Sequence, residues 1–121
     1  KIDLIPVPDI EVSGDADNAE LLIVGFGSTY GHLYTAMQEL RREGHRVALA
    51  QFEFINPLPK NTARVLRSYK KVVVAEQNLG QFAQYLRQKI DGFVPYQYDE
   101  VKGQPFVVAD LKQVFIKIME E

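Results

Sequence analysis

From Leu21 onward two kinds of segment alternate, and this alternation restricts the fold more than any other feature of the chain. Residues 21–26 (LLIVGF) make an apolar run of the length of a buried strand. Beyond a glycine-rich turn, Leu33, Ala36, Met37 and Leu40 recur at i, i+3, i+4 and i+7, the one-sided stripe of an amphipathic helix. Gly44 closes that helix as a left-handed cap. Residues 46–54 (RVALAQFEF) form a second strand, and Asn56, Pro57, Leu58 and Pro59 force an extended turn before a short helix over 61–69. Residues 71–75 (KVVVA) are a third strand. Leu79, Phe82, Ala83, Leu86 and Ile90 line one face of the next helix, which Gly92 ends. A short strand near 94–98 leads through Lys102, Gly103, Gln104 and Pro105 to a last helix with Leu111, Val114, Phe115 and Ile118 on its apolar face. Strands apolar on both faces, alternating with helices, predict an open parallel sheet covered by helices on both sides.

The first twenty residues read differently. Pro6 and Pro8 interrupt residues 1–10 (KIDLIPVPDI), which suits an edge strand or an extended arm because proline cannot donate to a sheet ladder. Residues 11–20 (EVSGDADNAE) are acidic and rich in turn formers, a linker. The expected organisation is therefore an arm and linker over 1–20 and one α/β domain over 21–121. At 121 residues, 46% hydrophobic and 25% charged, the chain builds one core and no second. A formal charge of −2 gives no general basic field, and the runs Arg41-Arg42 and Lys70-Lys71 read as solvated faces, so neither nucleic acid nor membrane is expected as partner. With no cysteine there is no disulfide, thiolate zinc site or iron–sulfur cluster ligated by this chain. No apolar stretch nears the roughly 20 residues that span a bilayer, and the opening residues form no signal peptide, so a cytoplasmic location is expected. The chain begins with Lys1 rather than Met, as a piece of a longer protein, a processed chain or a cloned fragment does.

In open α/β sheets ligands sit beyond the carboxyl ends of the strands. That points to two stretches. The first is GFGSTYG, from Gly25 to Gly31. A dinucleotide fingerprint needs G-x-G-x-x-G and an acid about 20 positions later; here the spacing is G-x-G-x-x-x-G, and the acid's place falls in Ala50-Gln51-Phe52, with Glu53 nearby. Gly25, Gly27 and Ser28 still offer backbone N–H groups to an anion at a helix start. The plainer reading gives glycine to the turn, Ser28 or Thr29 to the helix cap, and Gly31 to a close approach of the helix to its neighbours. The second stretch is Glu76-Gln77-Asn78 with Gly80-Gln81, a carboxylate and amides that suit an interface or a helix start in which Asn78 caps Gln81. Glu76 has no partner acid or base in view, and His32 and His45 have no third ligand, so neither catalysis nor metal binding is assigned. Phe52 and Phe54 read as core.

Five motifs in order carry a family resemblance: LLIVGFGSTYG; Ala36 with Leu40-Arg41-Arg42-Glu43-Gly44-His45-Arg46-Val47; Ile55-Asn56-Pro57-Leu58-Pro59; Val72-Val73-Val74-Ala75-Glu76-Gln77-Asn78 with Gly80-Gln81; and Lys102-Gly103-Gln104-Pro105-Phe106. Together they resemble the C-terminal domain of the alpha subunit of 2-oxoacid:ferredoxin oxidoreductases, most of all the 2-oxoglutarate enzymes. The resemblance implies a fold like the transketolase C-terminal domain: three α/β/α layers around a mostly parallel five-stranded sheet of order 1-3-2-4-5 with the first strand antiparallel. It would place residues 4–7 as that edge strand beside residues 46–54, with 21–26 at the centre. It implies an intact enzyme that oxidatively decarboxylates a 2-oxoacid to its acyl-CoA and reduces ferredoxin, using thiamine diphosphate, Mg2+, an iron–sulfur cluster and CoA held by other domains and the beta subunit. This chain would bind none of them and would pack against the rest of its alpha subunit and the beta subunit, inactive alone, with Gly25, Gly27, Ser28, Glu76, Asn78 and Gln81 along an interface or anion edge. Residues 50–54 lack the basic side chain that the resemblance implies in many relatives. The alternative is a stand-alone nucleotide- or flavin-binding module using the Gly25–Gly31 turn.

Overall fold

A computed structural model of the chain describes residues 10–26, 30–52, 61–76, 81–90, 92–93, 95–99 and 107–120. Along the chain come β1 (Val12–Gly14), β2 (Leu21–Phe26), α1 (Tyr30–Arg42), β3 (Val47–Phe52), α2 (Thr62–Arg67), β4 (Val72–Glu76), α3 (Gln81–Lys89), β5 (Tyr96–Asp99) and α4 (Val108–Glu120). The five strands form one sheet of order β1-β3-β2-β4-β5. β2 pairs parallel with β3 and β4, β4 pairs parallel with β5, and β1 runs antiparallel to β3. The sheet is thus the mixed, five-stranded one that the resemblance implied.

Its two faces are both covered, which is why the central strands carry so little polarity. Leu21, Ile23, Val47, Leu49, Val73 and Ala75 point to one side, where they bury Leu33, Ala36, Met37 and Leu40 of α1 and Leu111, Phe115 and Ile118 of α4. Leu22, Val24, Ala48, Ala50, Phe52, Val72 and Val74 point to the other, against Leu66 of α2 and Phe82, Ala83 and Leu86 of α3. A one-residue slip of any central strand would exchange those sets, so the register is fixed by packing on both sides at once. α1 ends as the sequence predicts. Gly44 adopts φ +99°, its N–H bonds to the Arg41 carbonyl and that of His45 to the Leu40 carbonyl, the paired bonds that close a helix through a left-handed residue.

The edge strand departs from expectation. Residues 4–7 lie outside the described residues, and the strand antiparallel to β3 comes from the segment read as a linker, with Val12, Ser13 and Gly14 opposite Ala50, Leu49 and Ala48. Three side chains hold this acidic stretch down. Asn61 accepts from the Ile10 N–H at 2.8 Å and donates to the Ile10 carbonyl at 3.1 Å. Asp15 accepts from the Val47 N–H and from Arg41, each at 3.2 Å. Tyr69 donates its hydroxyl proton to the Ala16 carbonyl at 2.6 Å. Turn formers here shape a strap rather than a free linker. Gly14 shows why: at φ +86° it packs so tightly that a Cβ would stand 2.7 Å from the Val47 carbonyl oxygen.

Candidate functional site

The carboxyl ends of β2, β3 and β4 meet at one edge of the sheet. Gly25 lies within the ladder, opposite Gln51, and is buried near the end of β2. Gly27, Ser28 and Thr29, and with them the anion reading and the proposed caps, lie outside the described residues. Gly31 does not serve close packing: a Cβ there would meet nothing within 4 Å, so the expectation that it lets α1 approach a neighbour is corrected.

Glu76 is the feature of this edge. It ends β4 on the same side as Val72 and Val74, and only 3% of its surface is exposed. One carboxylate oxygen accepts from the Phe82 N–H and the other from the Ala83 N–H, each at 2.9 Å. These are among the N–H groups that α3 leaves without an internal acceptor at its start, and negative charge is stabilised at that end of a helix. Capping therefore falls to Glu76, six and seven residues upstream. Asn78, expected as the cap, lies outside the described residues, as does the side chain of Gln81, whose backbone opens α3.

The surroundings of the Glu76 cap are aromatic. Phe82 stands with its ring centroid 5.2 Å from those of both Phe26 and Phe52, so three strand and helix ends are joined through aromatic contacts. Phe52 is core, as expected; Phe54 lies outside the described residues. A carboxylate with both oxygens taken by backbone donors in such a place is built to hold two elements together. It is poorly placed to take a proton from a substrate, because a base must reach that proton directly or through one water.

Elsewhere the sequence-predicted polar residues do not converge. His32 and His45 are half-buried at opposite ends of α1, roughly 20 Å apart at 1.5 Å per residue. Among the described residues no group of three or more His, Asp or Glu is placed to hold a metal ion, and no helix is long and apolar enough to cross a membrane. Sequence reasoning missed Asn61, Asp15 and Lys71. Lys71 was read as a solvated face, yet its ammonium donates to the Ile118 and Met119 carbonyls at 2.8 and 3.0 Å, on the last turn of α4 where positive charge is favoured. Lys112 of α4 joins α1 through Glu39, at 3.1 Å, and Glu43. Hydrogen bonds to Glu43 and then Glu39 hold its pKa above the ordinary lysine value. Burial, and then the charge of Asp17, raise the pKa of Tyr69.

Comparison with known proteins gives this fold its kin. Residues 19–111 match the family described as pyruvate:ferredoxin oxidoreductase core domain II, and the chain belongs to that family. It is 46% identical over 112 residues to the 2-oxoglutarate oxidoreductase subunit KorA of Mycobacterium tuberculosis, covering 92% of this chain but only 17% of that protein. Among solved structures it is similar to the 2-oxoglutarate:ferredoxin oxidoreductase from Magnetococcus marinus, with a TM-score of 0.86 and 28% identity over 93% of this chain and 20% of that one. A split-gene transketolase, 17% identical with a TM-score of 0.65 over 91% of this chain and 41% of that one, shares the fold. The chain thus spans about a sixth of the curated relative it matches at 46% identity.

Proposed function

We propose that this chain serves as an assembly domain in the alpha subunit of a thiamine-dependent 2-oxoacid:ferredoxin oxidoreductase, with 2-oxoglutarate as the 2-oxoacid. The structural observation that carries the assembly role is the occupied carboxylate of Glu76, tied to Phe82 and Ala83 at the edge where ligands of open α/β sheets bind. The choice of 2-oxoglutarate rests on the identity to KorA and the likeness to the Magnetococcus enzyme, whose structure holds 2-oxoglutarate, coenzyme A and succinyl-CoA. On this reading the remainder of the alpha subunit, the beta subunit and, through the whole enzyme, ferredoxin are its partners in the cytoplasm. Thiamine diphosphate, Mg2+, the iron–sulfur cluster and CoA belong to those other parts. A chain without cysteine offers no thiolate for a cluster, and Glu76, the one fully buried acid among the described residues, has no oxygen to spare for Mg2+. These two features do not fit a cluster or a dedicated Mg2+ site, and no step is assigned to either group.

Two experiments test the reading. Calorimetric titration of the chain with NAD, FMN, ATP, CoA and thiamine diphosphate is expected to show nothing tighter than about millimolar, roughly 4 kcal/mol of affinity. Micromolar binding of NAD or FMN that Gly27→Val abolishes would make it a nucleotide module instead. Substituting this chain for the matching segment of KorA is expected to preserve 2-oxoglutarate-dependent reduction of ferredoxin; a folded, assembled chimera without that activity would overturn the substrate assignment.

A further inference from the structure

Charge is segregated in this molecule in a way that a formal total of −2 conceals. Between Asn61 and Ile90 the only acid is Glu76, and it is buried and turned into the start of α3. The same stretch holds Arg64, Arg67, Lys70, Lys71, Arg87 and Lys89. Lys71 serves the last turn of α4; the other five side chains belong to exposed residues. α2 and α3 cover the same face of the sheet, since Leu66 and Leu86 pack into one cluster, and both run from its carboxyl edge towards its amino edge. Arg67 at the end of α2, Lys70 just beyond it, and Arg87 and Lys89 at the end of α3 therefore all lie towards the amino edge of that one face. Arg64, Lys70 and Arg87 have no side-chain ion pair or hydrogen bond among the described residues; Asp91 lies outside them, and Asp17 of the strap is the acid beside Tyr69.

Beside Arg87 the surface dips into an open hollow of about 480 Å³ lined by Gln84, Arg87, Gln88, Gly92 and Phe93. A guanidinium flanked by two amide side chains presents N–H donors to a planar acceptor, and a carboxylate is the group that matches them in charge and shape. We propose that the α2–α3 face is a docking surface for an acidic protein segment, with an Asp or Glu side chain of that segment seated in the hollow against Arg87. The other polyanions fit less well. Bases of a nucleic acid need open aromatic platforms, but the Tyr85 ring on this face lies under the Lys89 ammonium, 5.4 Å from its centroid. A membrane-surface helix needs apolar side chains to insert, whereas among the described residues the large exposed apolar ones, Tyr30, Tyr96 and Val107, belong to other parts of the chain.

The test is fluorescence anisotropy of a labelled oligo-glutamate peptide with the chain at low and high salt, with an oligothymidine strand and phosphatidylserine vesicles measured in parallel. The expected result is salt-sensitive peptide binding that weakens at least tenfold in Arg87→Glu/Lys89→Glu and is unchanged in Arg42→Glu/Lys117→Glu, which alters net charge equally on the opposite helical layer. Arg87→Gln, which keeps a donor and leaves the fold intact, is expected to lose several-fold. No peptide binding, or equal losses in both double variants, would overturn the proposal. So would tighter binding of the oligonucleotide or of the vesicles than of the peptide.

Discussion

Replacing Glu76 tests the reading of the sheet edge most directly. In Glu76→Gln one oxygen still accepts an N–H from α3, but the amide NH2 now faces the second N–H, leaving a buried donor unmatched at about 1–3 kcal/mol. Loss of the negative charge at the helix start adds about 0.3–1 kcal/mol. The sum is about 2 kcal/mol. Glu76→Ala removes both acceptors from Phe82 and Ala83 and empties a buried site, for about 3–4 kcal/mol. With unfolding entropy of about 2.1 cal/mol/K per residue, a domain of this size loses about 4 °C in Tm per kcal/mol, so the variants should melt about 8 and 14 °C below the parent. Urea denaturation gives the free energies, and amide exchange should show lost protection first at Phe82 and Ala83. A Glu76→Gln chain within about 0.5 kcal/mol of the parent would refute the capping role and return the carboxylate to the list of groups free for chemistry.

Three further perturbations probe the rest of the frame. Gly14→Ala should cost about 3 kcal/mol from a left-handed backbone and a clash; because the Val47 carbonyl is fixed backbone, adding Met37→Ala should not restore urea stability even though Met37 Sδ is equally close. Asn61→Ala leaves the buried N–H and carbonyl of Ile10 without partners and should cost about 2 kcal/mol, with Ile10 amide exchange accelerated; Asn61→Asp, which accepts but cannot donate, should fall between. Tyr69 and Lys112 both have pKa values raised in the folded state, so their stabilisation is fully present below the ordinary tyrosine and lysine values of about 10 and is lost as pH rises through the elevated ones. Denaturation midpoints should therefore fall on going above about pH 10, less so in Tyr69→Phe, and a parent chain whose stability is flat there would contradict both shifts.

What the sequence disclosed follows from which interactions are periodic. The stripe Leu33, Ala36, Met37, Leu40 and the runs 21–26 and 71–75 repeat at helix and strand spacing, and each lies where its pattern predicts, with all but the half-buried Phe26 and Lys71 fully inside. The strap carries no such pattern. Val12–Gly14 is too short and too acidic in its setting to read as a strand, and it is held from either side, by Asn61 at Ile10 and by Tyr69 at Ala16, each bond spanning more than fifty residues. The candidate site was legible in position but not in role. Glu76 was marked as an edge residue because it ends an apolar strand, but nothing in one dimension says that its carboxylate reaches past the turn to the third backbone N–H of the next helix. The cationic face was illegible for a similar reason, since its members come as isolated residues on two helices that only the sheet brings side by side.

The family match and the folded unit have different bounds, and the difference bears on what kind of domain this is. The match covers residues 19–111, yet β1 lies before it and Phe115 and Ile118 lie after it, inside the core under α1 and α4. Burying Phe115 and Ile118 alone contributes about 3–6 kcal/mol, a large share of the 5–15 kcal/mol by which domains are stable. The carbonyls that hold Lys71 come from the same last turns of α4. The matched stretch thus holds the four parallel strands and the carboxyl edge, while the segments on either side close the sheet's outer edge and seal one layer. The sealing segments need only hydrophobic residues at helix spacing or a few backbone bonds, which many sequences supply.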